Sequence, residues 1–197
     1  MIPTIDVFQK EWAFTSSDSS RPIIRTGCFG PCHVVTFSGG KYSALAHIDE
    51  NTSIGSIKNI FDRFKTFSIP PENIKAVIMG GWKSDRESRL LGKEILSFVL
   101  RNGVKDINVS QMRRKEELGL SDYFQVLSPE ATVKYYFLGA CINATTGKTF
   151  IVNKEDIRLS EEQLKRSDTM NPDIVYSLKE VIEKKSKETS HQPTKAD

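Results

Sequence analysis

The stretch HVVTFSGGKYSALAHI, His33 to Ile48, restricts the fold more than any other part of the chain. Two runs rich in β-branched and aromatic residues flank Gly39-Gly40, which is a hairpin signal. Taken as a two-residue turn, Gly39-Gly40 pairs Ser38 with Lys41, Phe37 with Tyr42 and Thr36 with Ser43. The same count sets Cys32 directly opposite His47. Opposed residues share a face of the sheet, with Cβ atoms roughly 4.5–5.5 Å apart, which lets an imidazole meet a thiol. His33 follows Cys32 at once and so points to the other face, which makes it a poor partner. A turn longer by one residue would spoil this alignment.

The remaining elements follow from periodicity and turn chemistry. Glu11–Thr15 suits a short strand, followed by a polar loop to Pro22 and a bend from Thr26 to Pro31. Apolar residues at 54, 57, 60, 61, 64 and 67 predict an amphipathic helix, closed off by Pro70-Pro71. Ile74–Gly81 is a nearly continuous apolar run, hence a buried strand ending in two glycines. Asp85–Arg101 predicts a second helix, and residues 106–112 a further strand. Val133–Asn143 and Lys148–Val152 read as a second hairpin with Gly147 in its turn. Residues 161–185 predict helix, including one that starts at Asn171-Pro172, and 186–197 are polar enough to be disordered. Hairpins with a few covering helices predict an α+β fold, a mixed or antiparallel sheet or β-sandwich core flanked by helices. The expected division is a catalytic domain over 1–160, a helical extension over 161–185 and a tail.

Composition narrows the partners. Lys and Arg number 28 against 25 Asp and Glu, and this balance gives no basic stripe for nucleic acid. No apolar run approaches the roughly 18 residues of a membrane span. The N-terminus lacks a basic segment followed by an apolar one, so it is no secretory signal. Three cysteines do not suit a disulfide framework and point to a reducing compartment. A cytoplasmic location is the expectation, with a secreted effector lacking a classical signal as the alternative. Neither a G-x-G-x-x-G nor a P-loop motif occurs.

A cysteine–histidine pair works because the thiolate is the nucleophile and the imidazole moves its proton. A third group usually orients the ring, and Thr26, across a bend from Cys32, would offer a hydroxyl or a carbonyl. Gly30-Pro31 would shape the turn that presents the Cys32 N–H to an oxyanion. The competing explanation is plain: Cys32 as a small buried hydrophobe and His47 as a satisfied core histidine. A metal site would need Cys28, Cys32, His33 and His47 to converge, but His33 faces away and the spacing is not that of zinc ligands. No metal and no cofactor is expected.

The constellation Thr26, Cys32 and His47 resembles that of the bacterial chemoreceptor glutamine deamidases (CheD) and the deamidating toxins that share their core. A closer resemblance is to the protein N-terminal asparagine amidohydrolase family. It rests on CHVV (Cys32–Val35), AHID (Ala46–Asp49), GGWKSDR (Gly80–Arg86) and LGACINATTGKTF (Leu138–Phe150). The resemblance implies a CheD-like deamidase fold and cysteine-dependent hydrolysis of a side-chain carboxamide, on a protein or peptide substrate bearing Asn or Gln. It implies Cys32 as nucleophile, His47 as base and Thr26 as the orienting group. An N-terminal Asn brings an ammonium that calls for a carboxylate, and Asp49 and Asp85 are candidates. Asp85 also suits a helix N-cap. Gly80 and Gly81 suit close approach of substrate to the backbone, or simply a strand-ending turn. The rival classes are a deamidase of internal Gln or Asn in a folded partner and a non-catalytic binding module on the same fold.

Overall fold

The computed structural model of the chain describes residues 4–27, 32–81, 85–111, 139–152 and 175–179. The described residues form an α+β arrangement of two mixed sheets and two α-helices. The larger sheet has six strands in the order β10-β2-β5-β4-β6-β7, with β2 Glu11–Ser16, β4 His33–Gly39, β5 Tyr42–Ile48, β6 Lys75–Gly80, β7 Asp106–Gln111 and β10 Val175–Ser177. The smaller has four, in the order β1-β3-β8-β9, with β1 Thr4–Asp6, β3 Ile23–Thr26, β8 Gly139–Asn143 and β9 Lys148–Val152. The pairs β1–β3 and β6–β7 are parallel and the other pairs antiparallel.

Strand alternation gives the large sheet two buried faces. One face, with Phe14, Val35, Phe37, Ala44, Ala46 and Ile78, packs on α1 (Lys58–Lys65) and α2 (Arg86–Arg101) through Ile60, Phe61, Phe64, Leu91, Ile95 and Val99. The other, with Ala13, Cys32, Val34, Leu45 and Met79, meets Ile5, Ile24, Ala140 and Ile142 of the small sheet. The stack is therefore helices, large sheet, small sheet.

Two expectations need correction. The β4–β5 turn is centred on Gly40-Lys41, not Gly39-Gly40, because Gly39 pairs with Tyr42 inside the ladder. Gly40 holds φ 55 at the first turn position, as a type II′ turn asks. Gly39 is glycine for another reason: a Cβ there would lie 2.9 Å from Ile69 Cγ2. The register moves by two residues, so His47 lies opposite Val34 and Cys32 becomes a diagonal neighbour, while every side chain keeps its face. The second correction concerns residues 175–177, expected in a helix. They form β10 against β2, where Tyr176 stacks on Trp12 with ring centroids 4.4 Å apart. Residues 153–174 and 180–197, with the expected helix start at Asn171-Pro172 and the polar tail, lie outside the described residues.

Candidate active site

The site lies between the two sheets. Thr26 ends β3 with its side chain facing the large sheet, as does Ile24 two residues earlier. His47, near the end of β5, faces it. Thr26 Oγ1 lies 2.8 Å from His47 Nδ1 and 2.6 Å from the carbonyl oxygen of Val7. The Val7 carbonyl can only accept, so it takes the hydroxyl proton, and Thr26 in turn accepts from Nδ1–H. That fixes the tautomer and leaves the lone pair on Nε2. Nε2 is buried and has no hydrogen-bond partner among the described residues.

Cys32 immediately precedes β4 and is buried in the apolar cluster between the sheets, on the face that carries His47. Its carbonyl accepts from Gly81 N–H at 3.0 Å, which extends the β4–β6 ladder by one step. Diagonal neighbours in a sheet stand roughly 7–8 Å apart at Cα. The corrected register therefore puts Cys32 one diagonal step from His47 on the same face, and Nε2 makes no hydrogen bond among the described residues.

Burial lowers the pKa of His47 from 6.5 to about 4, with the charge of Asp49 opposing the shift. The ring is thus neutral at pH 7. Asp49, two residues on, is itself buried. Its Oδ1 accepts from Thr52 Oγ1 at 2.7 Å and from Asn51 N–H at 3.1 Å, and its Oδ2 from Gln9 Nε2 at 2.7 Å. Lys10 Nζ stands 3.8 Å from Oδ2. Lys10 adopts a left-handed φ of 63 in the turn before β2, and its N–H donates to the His47 carbonyl at 2.9 Å.

The chain matches the protein N-terminal asparagine amidohydrolase family over residues 2–185. It belongs to that family. No curated protein matches the sequence. Among solved structures, protein YfiH of Bacillus licheniformis is similar with a TM-score of 0.42 and 16% identity, covering 52% of this chain. The match spans 51% of that protein, about half its length.

The other candidate residues of this amidohydrolase-family chain fall as follows. Gly80 ends β6 and Gly81 follows it, with φ 94 and 80, a conformation that favours glycine. Asp85 is the N-cap of α2, where Oδ1 accepts from Glu87 N–H at 2.8 Å and Ser88 N–H at 3.1 Å. His33 is buried on the helix-facing side of the sheet, opposite in direction to His47, as alternation demands. Cys141 lies half-buried in β8 across from Arg25, and burial pushes its thiol pKa up. Cys28, Gly30, Pro31 and Trp82 lie outside the described residues. No group of three His, Cys, Asp or Glu side chains suited to a metal ion occurs among the described residues. Nor is any described helix long and apolar enough to cross a membrane.

Four contributors escaped sequence reasoning. The Val7 carbonyl fixes the Thr26 hydroxyl, and no side-chain pattern announces a backbone acceptor. Gln9 and Thr52 hold Asp49, and the Asp-x-x-Thr spacing of an Asx-type turn was the available signal. Gly92 sits inside α2 where glycine costs about 1 kcal/mol relative to Ala, a mismatch that marks a close packing contact.

Proposed function

We propose that this chain hydrolyses the side-chain carboxamide of an N-terminal Asn to give Asp and ammonia. Membership of the amidohydrolase family supports the reaction class. The observation that carries the residue roles is the Val7–Thr26–His47 chain of hydrogen bonds, which leaves Nε2 as an unpartnered base on the face of Cys32.

In this reading, substrate binding draws the Cys32 thiol to His47. Nε2 takes the thiol proton while Sγ bonds the amide carbon. The tetrahedral adduct collapses as the C–N bond breaks, and the leaving nitrogen takes the proton from His47 and departs as ammonia. Water then attacks the thioester, with His47 accepting its proton. The C–S bond breaks, Asp is released, and the thiol recovers its proton from His47. Thr26 holds the ring in one tautomer through both halves. The negative charge of Asp49 favours the imidazolium that forms in each half, in the direction of its effect on the pKa.

Asp49 and Asp85 supply the negative charge that pairs with the substrate ammonium, with Asp49 exchanging Lys10 Nζ for it. Gly80 and Gly81 let the substrate backbone approach β6. The test compares ammonia release from an Asn-initiated peptide, the same peptide N-acetylated, and the Cys32→Ala variant. Release from the free peptide alone, lost in the variant, is the expected result. Undiminished release by Cys32→Ala would end the proposal.

A further inference from the structure

His33 has no part in that chemistry, since it points away from Cys32 and His47. Its environment is nevertheless specific. The ring fills a notch whose walls are glycines on two elements: a Cβ at Gly81 would stand 2.3 Å from His33 Nε2, and one at Gly92 2.7 Å from the same atom. Gly81 is also the residue whose N–H holds the Cys32 carbonyl. Ser88 Oγ stands 3.1 Å from the Gly81 Cβ position, so two successive turns of α2 border the notch. His33 Nδ1 is buried without a hydrogen-bond partner among the described residues. Such an atom forfeits about 1–3 kcal/mol of hydration, so the side chain is not chosen for stability alone.

We infer that His33 is a positioning residue for Cys32. Its ring, seated between Gly92 of α2 and Gly81 of the β6 terminus, sets the strand-end peptide of Cys32, and thereby the approach of the thiol to His47 Nε2. Because Gly81 follows β6 and stands four positions before the Asp85 cap, the same wedge ties the nucleophile to the start of α2. The inference rests on the assignment of Cys32 as nucleophile.

The experiment measures ammonia release from an Asn-initiated peptide by the full chain, with thermal melting of each variant. His33→Ala is expected to lower kcat about tenfold while KM stays within about twofold, the signature of lost transition-state alignment. Gly92→Ala, whose methyl displaces the ring but suits a helix, is expected to do the same. The double variant is expected to be no slower than either single one, because the two changes act on one contact. A lowered melting temperature with kcat at the wild-type value in both single variants would overturn the inference and leave His33 a packing residue. Should His33→Ala fail to fold, Gly92→Ala decides by the same criterion. Full activity in Cys32→Ala would instead remove the nucleophile itself, a failure distinct from that of His33.

Discussion

The six-stranded sheet presents one buried histidine on each face, in adjacent rows of the ladder. His33 and His47 are buried to a similar degree, and burial lowers both to about 4 from 6.5. Their surroundings differ in what touches the ring nitrogens. Thr26 takes Nδ1–H of His47 and leaves Nε2 open between the sheets. His33 has the reverse pattern, with Nδ1 unpartnered and Nε2 pressed toward two glycines. Burial alone yields a neutral imidazole on both faces. A hydrogen-bond acceptor on Nδ1 is what orients one of them, as the proposed base requires.

The largest test of this contrast is replacement of each ring by Ala. His47→Ala is expected to cost about 10²–10⁴ in kcat, the usual range for a general base, against about tenfold for His33→Ala. Equal losses in a steady-state ammonia assay would break the comparison. Thr26→Ala comes next, with an expected loss of about 10² in kcat as Nδ1 loses its acceptor. Thr26→Ser keeps the hydroxyl and is expected to restore most of the rate; if Ser and Ala behave alike, the hydroxyl does not orient the ring.

The two histidines should act alike on stability. Both have folded pKa values below the ordinary 6.5, so between 6.5 and about 4 the unfolded chain binds protons that the folded chain refuses. Folding stability therefore falls as pH drops through that window, by on the order of 3 kcal/mol for each ring. Urea titrations at several pH values would show it, and removing either histidine should delete one of two similar contributions. A variant that keeps the full acid slope would show that its ring titrates normally. The smallest expected effect belongs to Asp49→Asn. Loss of its charge lowers the His47 pKa further, shifts the acid limb of kcat/KM to lower pH and slows turnover by about fivefold, while KM for the Asn-initiated peptide rises as the ammonium loses one of its two carboxylates. An unmoved acid limb would remove Asp49 from the electrostatics of the base.

Much of this contrast is legible in the sequence. Strand parity separated His33 from His47, and it survived a misplaced turn because the error was two residues. The error itself has a physical source. Adjacent glycines look like one turn signal, yet only Gly40 needs positive φ, while Gly39 answers to Ile69 from across the fold. Sequence carries no mark for that kind of glycine. The Asp85 cap and the α2 span followed from local chemistry and matched closely. β1 and β3, only 3 and 4 residues long, are not legible as strands because so short a run has no period to read. β10 is hidden for a related reason: Val175 and Leu178 have a helical spacing, and only pairing with the edge of β2 makes the segment a strand. Thr26 was found through resemblance and its position before Cys32, whereas its partner Val7 carbonyl belongs to topology alone.

The pairing of β3 with β8 has a consequence for how the site comes into being. Cys32 and His47 belong to a local hairpin, whose closure requires only a short loop. The strand that carries Thr26 is flanked by a segment more than a hundred positions later, Ala140 opposite Thr26 itself. Contacts so distant in sequence form slowly, because loop-closure entropy must be met first. The proposed thiol and imidazole thus share one short-range hairpin, whereas the strand that aims the ring depends for one of its two edges on a partner more than a hundred positions away.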